Sequence, residues 1–426
     1  MKKNIWFTGI AAISLLLGLS LSSCNNYPRE NTLKIYNWSD YIDEELIAEF
    51  EEWYQQQTGE EVHVIYQLFD INEVMLSKIE KGQEDFDLVC PSDYIIERML
   101  ARDLALPIFD DEFRSFPDSI DYISNVSPYV QGLFSKLVMP DGKNPNDYSV
   151  GYMWGTVGIL YNRAYATAED TDSWGALFNP KFRNKMFIKD AFRDVYSPML
   201  IYAKTLEARQ NGTLAEDEYL PIEEIEALSF DSSDESIALV ESYLKRISPY
   251  VTGWEADFGK EMMTSKNPKA YINLQWSGDA VFAMTEAEGV GVDLYYNVPR
   301  EGSNVWFDGW VIPKYAKNVK AARYFIDFMC RPDNAIRNME ATGYVSVIGT
   351  EEVLEAMTDE TMPTRCDLTY FFTDPEGNPL AGTESVPVNE VMYPDRSVVE
   401  RCAMMHDSGA RTEALLDMWS RVKSNM

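Results

Sequence analysis

The stretch Tyr36-Asn37-Trp38-Ser39-Asp40-Tyr41 crowds three aromatic rings and a carboxylate into one short run. An aromatic face attracts positive charge through its quadrupole, and a carboxylate neutralises it, so the combination suits an organic cation. Similar clusters recur far along the chain, in Trp276-Ser277-Gly278-Asp279 and in Trp306-Phe307-Asp308, and acids recur in Asp190-Ala191-Phe192-Arg193-Asp194. Any one of them reads equally as core aromatics beside a helix-capping aspartate. Their repetition at the ends of apolar runs favours binding.

Those clusters sit where short β-rich runs give way to helical patterns. Residues 33–36 read as a strand, and Asp43 precedes a helix over 44–57 whose Leu46, Ile47, Phe50 and Tyr54 recur at three-to-four spacing, with Gly59 past its end. Strands follow at 62–67 and 86–90, a helix at 72–80 closed by Gly82, and another helix begins at Ser92 after Pro91. Loops fill 107–151. Beyond them, 152–161 is β-like, 185–188 is a strand feeding a helix that runs to about 206, and 207–236 is acidic, turn-rich and peripheral. A helix over 236–246 precedes strands at 270–275, 292–298 and 305–312, and Ala321, Ala322, Phe325, Ile326 and Met329 mark an amphipathic helix. Such alternation argues for an α/β fold with a largely parallel sheet covered by helices. In these folds ligands bind at the carboxyl ends of strands, where the clusters lie.

The chain has 426 residues, enough for two lobes with cores of their own. Its formal net charge of −32 argues against nucleic acid and against anionic membrane surfaces as partners. The start, Met1-Lys2-Lys3-Asn4, an apolar run over 5–21 and then Ser22-Ser23-Cys24, has the layout of a secretory signal. Leu21-Ser22-Ser23-Cys24 resembles the lipobox of bacterial lipoproteins, which implies removal of 1–23 and diacylation of Cys24. Residues 24–31 then read as a polar, lipid-anchored tether. Cys90, Cys330, Cys366 and Cys402 show no CxxC spacing, and whether Cys366 and Cys402 pair is open. Neither His63 nor His406 sits in a metal motif, so a zinc site or a histidine-based triad is not expected, and no cofactor is implied.

In order along the chain, Tyr36-Asn37-Trp38-Ser39-Asp40-Tyr41, Asp87-Leu88-Val89-Cys90-Pro91-Ser92, Tyr152-Met153-Trp154-Gly155, Trp276-Ser277-Gly278-Asp279, Trp306-Phe307-Asp308 and Gly343-Tyr344 resemble the spermidine/putrescine-binding proteins of bacterial ABC importers. The resemblance implies a two-lobed type II periplasmic-binding-protein fold, α/β with mixed, mostly parallel sheets and a ligand cleft between the lobes. Lobe one is expected at 32–150 plus 308–349, and lobe two at 151–307 plus 350–426. Carried over by position, Trp38, Ser39, Asp40 and Tyr41 would form one wall, and Ser92 and Tyr94 would add hydroxyls from the same lobe. Asp194, Trp276 and Asp279 would approach from the other lobe, Trp306 and Asp308 would lie near the crossover, and Tyr344 would complete the set. Asp190 and Asp93 are neighbours outside it.

A polyamine is a methylene chain ended by ammonium groups, and burying each ammonium is costly unless a carboxylate and hydrogen bonds replace its water. Asp308 is the expected primary anchor, followed by Asp279 and Asp194. The chain also departs from its family. Ala191 stands where many relatives carry the first of two acids, Met405 falls at a family glutamine, and 364–394 is longer than usual, its Tyr370-Phe371-Phe372 placed to cover the cleft. Ser39-Asp40 with Trp276 and Asp279 is putrescine-like, whereas Trp306-Phe307-Asp308 is spermidine-like, so the choice of polyamine stays open. The implied protein is a non-catalytic, monomeric lipoprotein of the cell envelope, periplasmic or extracytoplasmic. It would deliver its ligand to ABC permease subunits driven by a cytoplasmic ATPase. The alternatives are a different cationic amine or other solute, a structural envelope lipoprotein, and a glycoside hydrolase, whose two carboxylates would flank a bond about 5–10 Å apart.

Overall fold

The computed structural model describes residues 27–82, 84–109, 121–139, 142–255 and 258–424, so the leader and Cys24 lie outside the described residues. Strands β1 (Thr32–Trp38), β2 (His63–Phe69) and β3 (Leu88–Val89) run parallel, with β1 in the middle. Parallel neighbours cannot be joined by a tight turn, and helices Glu45–Thr58 and Asn72–Glu80 supply the crossovers. The first of these buries Leu46, Phe50, Trp53 and Tyr54. It stops at Gly59, whose φ of 73° is the left-handed conformation that glycine adopts without a Cβ clash.

After the short β4 (Ala105–Leu106), β5 (Ser149–Asn162) is buried along its whole length. A second parallel group comprises β6 (Met186–Lys189), β7 (Gly253–Glu255) and β8 (Ile272–Trp276), with β6 central. Next come β9 (Leu294–Asn297) and β10 (Ser303–Pro313), the latter again wholly buried. β5 and β10 pair antiparallel from Val305–Thr156 to Val311–Ser149. Beyond that shared stretch β5 continues along β8 and β9, and β10 reaches β3 and β4. The result is an α/β protein whose main sheet is mixed, with the path β2-β1-β3-β10-β5-β8-β6-β7, in which two long strands tie together two parallel groups; Arg365–Cys366 and Val386–Pro387 form a separate two-stranded sheet.

Several expectations need correction. The strand expected at 86–90 narrows to Leu88–Val89, although the backbone N–H groups of Cys90 and of buried Asp87 still bond to the Tyr36 and Lys34 carbonyls of β1. The Asp87 carboxylate accepts from the Arg29 side chain and from the backbone N–H groups of Lys34, Lys317 and Asn318. Arg29 also pairs with Asp85 at 2.6 Å, so 29–31 belong to the folded body and not to a spacer. The segment 207–236 contains helix Ile222–Phe230, whose Ile225 is buried. Cys366 and Cys402 are buried free thiols. Tyr370, Phe371 and Phe372 do not cover a cleft: Phe371 stacks on Trp154 at 5.2 Å, and both Phe371 and Phe372 are buried. Trp154 lies opposite Phe307 in the ladder, and side chains alternate along a strand, so this aromatic group sits on the face away from Trp306 and Asp308.

Candidate functional site

Trp306 and Asp308 share one face of β10, at the join between the two parallel groups. The pairing with β5 slips between Asp308 and Gly309, a bulge of the kind that re-aims side chains. Two glycines let bulky groups converge here. A Cβ on Gly155 would lie 2.4 Å from Ser277 Oγ and 2.7 Å from the Trp306 ring, and one on Gly278 would lie 2.3 Å from the Tyr344 ring. Ser277 opens helix Ser277–Gly289, which places Asp279 in its first turn. There the helix dipole favours a negative charge.

Asp308 is 6% exposed. Its Oδ2 accepts from the Tyr41 hydroxyl at 2.8 Å, whereas Oδ1 has no hydrogen-bond partner among the described residues. Burial pushes this carboxyl up to about 6; Ser92 and Tyr41 beside it act in the opposite direction, and the charge of Asp194 adds to the rise. Ser92 bridges to Asp308 through the backbone and precedes helix Asp93–Ala101. No side-chain cap forms there; instead Ser92 Oγ accepts from Asn72 at 3.0 Å, and Asn72 also donates to the Tyr94 hydroxyl at 3.0 Å. The Tyr41 ring meets Tyr344 edge-on at 4.9 Å and Tyr152 at 5.4 Å.

Asp194 arrives from helix Phe192–Gln210 and is buried. Burial pushes its carboxyl up to about 6 as well, although a hydrogen bond from Trp276 and the charges of Lys189 and Arg193 counter the rise. Asp279 shows the reverse outcome. Burial alone would raise it, but Lys189 at 2.8 Å and Lys260 at 3.1 Å hold it below the usual carboxylate value. The Tyr344 hydroxyl donates to the same carboxylate at 2.9 Å.

Tyr41, Ser92, Tyr94, Asp194, Trp276, Asp279, Trp306, Asp308 and Tyr344 are thus linked by direct contacts or by mutual electrostatic influence. Trp38 is half-buried at the end of β1, 4.5 Å from Phe69. Ser39 and Asp40 fall outside the cluster. Both are exposed; Asp40 takes a left-handed turn at φ 52°, and Ser39 Oγ donates to Asp70 at 3.0 Å. The tight turn after β1 carries the two side chains away from the acids. Asp190 is occupied elsewhere, by Trp419 and Lys423.

Sequence reasoning did not include the cations. Lys189 Nζ lies 4.0 Å above the Trp276 ring and 3.7 Å from Glu255, both lysine and glutamate being buried. The Arg193 guanidinium lies 4.0 Å over the Tyr94 ring and 3.2 Å from Glu73, joining the two halves. Asp93 is also buried beside the group, and burial holds its carboxyl well above the usual value. The available signal was Lys189 itself, a charged residue closing the apolar run Met186-Phe187-Ile188. Chemically, the arrangement presents two carboxylates in an aromatic setting whose ionisation a bound cation would favour.

Comparisons with known proteins agree with that chemistry. The family model "Bacterial extracellular solute-binding protein" matches residues 45–363. The spermidine/putrescine-binding periplasmic protein of Escherichia coli strain K12 is 26% identical over 420 residues, 97% of each chain. The putrescine-binding periplasmic protein SpuD of Pseudomonas aeruginosa is 27% identical over 430 residues, 98% of each. Among solved structures, a putative spermidine/putrescine ABC transporter protein from Listeria monocytogenes aligns with a TM-score of 0.68 at 29% identity, covering 93% of this chain and 100% of that one.

Proposed function

Because the chain belongs to the bacterial extracellular solute-binding proteins, we propose that it is the polyamine-binding component of an ABC importer, holding its ligand between two lobes and passing it to a membrane permease. The observation that carries this reading is Asp308. It is a buried carboxylate with one oxygen unmatched, set against Tyr41 and beside Trp306 on the strand that joins the two parallel groups. An ammonium group placed there restores the partner that burial has removed, and the aromatic faces suit the adjoining methylenes. The binding set is Tyr41, Ser92, Tyr94, Asp194, Trp276, Trp306, Asp308 and Tyr344, with Asp279 and Trp38 at its margins.

In this reading lobe one comprises 32–150 with 308–349, and lobe two comprises 151–307 with 350–426. Ligand stabilises the closed arrangement by engaging both. The relatives are binding components of transporters and not enzymes, so no turnover is expected. In this reading the protein is a monomer held at the envelope by lipid on Cys24, which the lipobox-like Leu21-Ser22-Ser23-Cys24 supports. A thermal-shift series across putrescine, spermidine, arginine and an oligosaccharide tests the class. Stabilisation by the first two alone supports it, and stabilisation by the oligosaccharide alone contradicts it.

A further inference from the structure

Lys189 brings a positive charge of its own into a site suited to positive ligands. It is 1% exposed at the end of β6, where the ladder with β7 sets it opposite Glu255 and fixes its backbone. Its ammonium group has the Asp279 carboxylate at 2.8 Å, Glu255 at 3.7 Å and the Trp276 face at 4.0 Å. Two carboxylates and an indole are the partners that a ligand ammonium would require. Lys260 adds a second cation on Asp279 at 3.1 Å. Glu255 is further satisfied by the side-chain amides of Asn273 and Gln275, each at 3.1 Å.

The two ends of the cluster therefore differ in charge. At the Trp276 end, Asp279 and Glu255 are matched by Lys189 and Lys260, so a second ammonium would meet a neutralised pair and a nearby like charge. At a separation of about 4 Å and an effective dielectric near 20, such repulsion is large enough to weaken binding of a second ammonium there about tenfold or more, even with the nearby carboxylates offsetting part of it. At the Asp308 end, Oδ1 of a carboxylate more than nine-tenths buried is unpartnered, and Asp194 lies between the ends, hydrogen-bonded by Trp276 and within electrostatic reach of both Lys189 and Asp308. Arg193 meets Glu73 through Nη1 and lies over the Tyr94 ring, while its Nε and Nη2 have no hydrogen-bond partner among the described residues.

Building on the amine-binding reading above, we propose that Lys189 replaces one ammonium group of the ligand. The site then takes an amine with a single buried ammonium between Asp308 and Asp194 and an uncharged end toward Lys189 and Asp279. A diamine acylated at one nitrogen has this form, whereas a fully protonated diamine or triamine carries a charge into the lysine-filled end. Lys189 is on this account the residue that sets specificity.

Calorimetric titration with N-acetylputrescine, putrescine and spermidine at pH 7.5 tests this. The wild type is expected to bind N-acetylputrescine roughly tenfold or more tighter than either polyamine, and Lys189→Met is expected to reverse the order by freeing Asp279 and Glu255 for a ligand ammonium. Lys189→Met combined with Asp279→Asn removes the 2.8 Å pair, leaves Glu255 with the side-chain amides of Asn273 and Gln275 and takes Asp279 from Lys260, so the reversal is expected to be smaller than in Lys189→Met alone. A wild-type preference for putrescine or spermidine overturns the role of Lys189 while leaving amine binding intact. Absence of binding by all three compounds overturns amine binding itself.

Discussion

At the scale of single residues, Asp308 and Asp194 trade stability for binding. Both carboxyls are pushed from 3.8 up to about 6 by burial. Between about pH 4 and pH 6 the folded protein therefore holds protons that the unfolded chain has released, and the stability of the ligand-free protein falls as pH rises through that window. Amine affinity moves the other way, because the ammonium needs ionised carboxylates. Lowering the pH from 7 to 5 is expected to weaken putrescine binding, and titrations in buffers of different ionisation enthalpy near pH 6 should show proton release on binding. Asp308→Asn removes the cost of a buried unmatched charge, so its ligand-free melting temperature at pH 7 should exceed that of the wild type even as ligand affinity collapses. The acids and aromatics of this site were legible in the sequence as residue types recurring at strand ends. Ser39 and Asp40 were not separable from them, because their exposure depends on the left-handed turn at Asp40, which composition does not reveal. The lysine at 189 escaped notice because its partners Glu255 and Asp279 are remote in sequence.

Secondary-structure elements decide which of these residues meet. Gly155 on β5 and Gly278 in helix Ser277–Gly289 leave room for Trp306 and Tyr344, and an added Cβ would stand 2.7 Å and 2.3 Å from those rings. Neither glycine has a left-handed backbone, so the constraint is steric. Gly278→Ala should displace the Tyr344 ring, lower stability by about 1–3 kcal/mol as overpacking does, and weaken amine binding. Chemical denaturation and titration of the same variant measure both. The helix Asn72–Glu80 was readable to its ends, with Gly82 past it, as was the Gly59 stop of the preceding helix. The 86–90 strand was overextended because an apolar run does not mark where the ladder stops; Asp87 still bonds to Lys34 of β1 through its N–H while its carboxylate holds a distant turn. Likewise, Tyr370-Phe371-Phe372 is as apolar as a lid would be, and only the alternation along β5 and β10 puts it on the far face.

For the whole molecule, the account requires that ligand bind both halves together. The two halves already touch through Arg193 on Tyr94 and Glu73, and through Arg98 with Asp407. Arg98→Ala removes the second of these contacts without touching the acid–aromatic cluster. Small-angle scattering of that variant should show a larger radius of gyration in the absence of ligand and a normal one at saturation. Ligand at about 100 times its dissociation constant should add roughly 2.7 kcal/mol of stability to the wild type. The α/β class and the recurrence of motifs along the chain were readable in the sequence. Continuity of one sheet through β5 and β10 was not, since strand order depends on pairings between residues some 150 positions apart, as between Val305 and Thr156. The most direct measurement is calorimetric titration of wild type and Asp308→Asn side by side with putrescine at pH 7.5. Saturable one-to-one binding by the wild type, weakened about 30-fold or more in the variant, is the predicted result. Equal affinity in the two proteins would contradict the account.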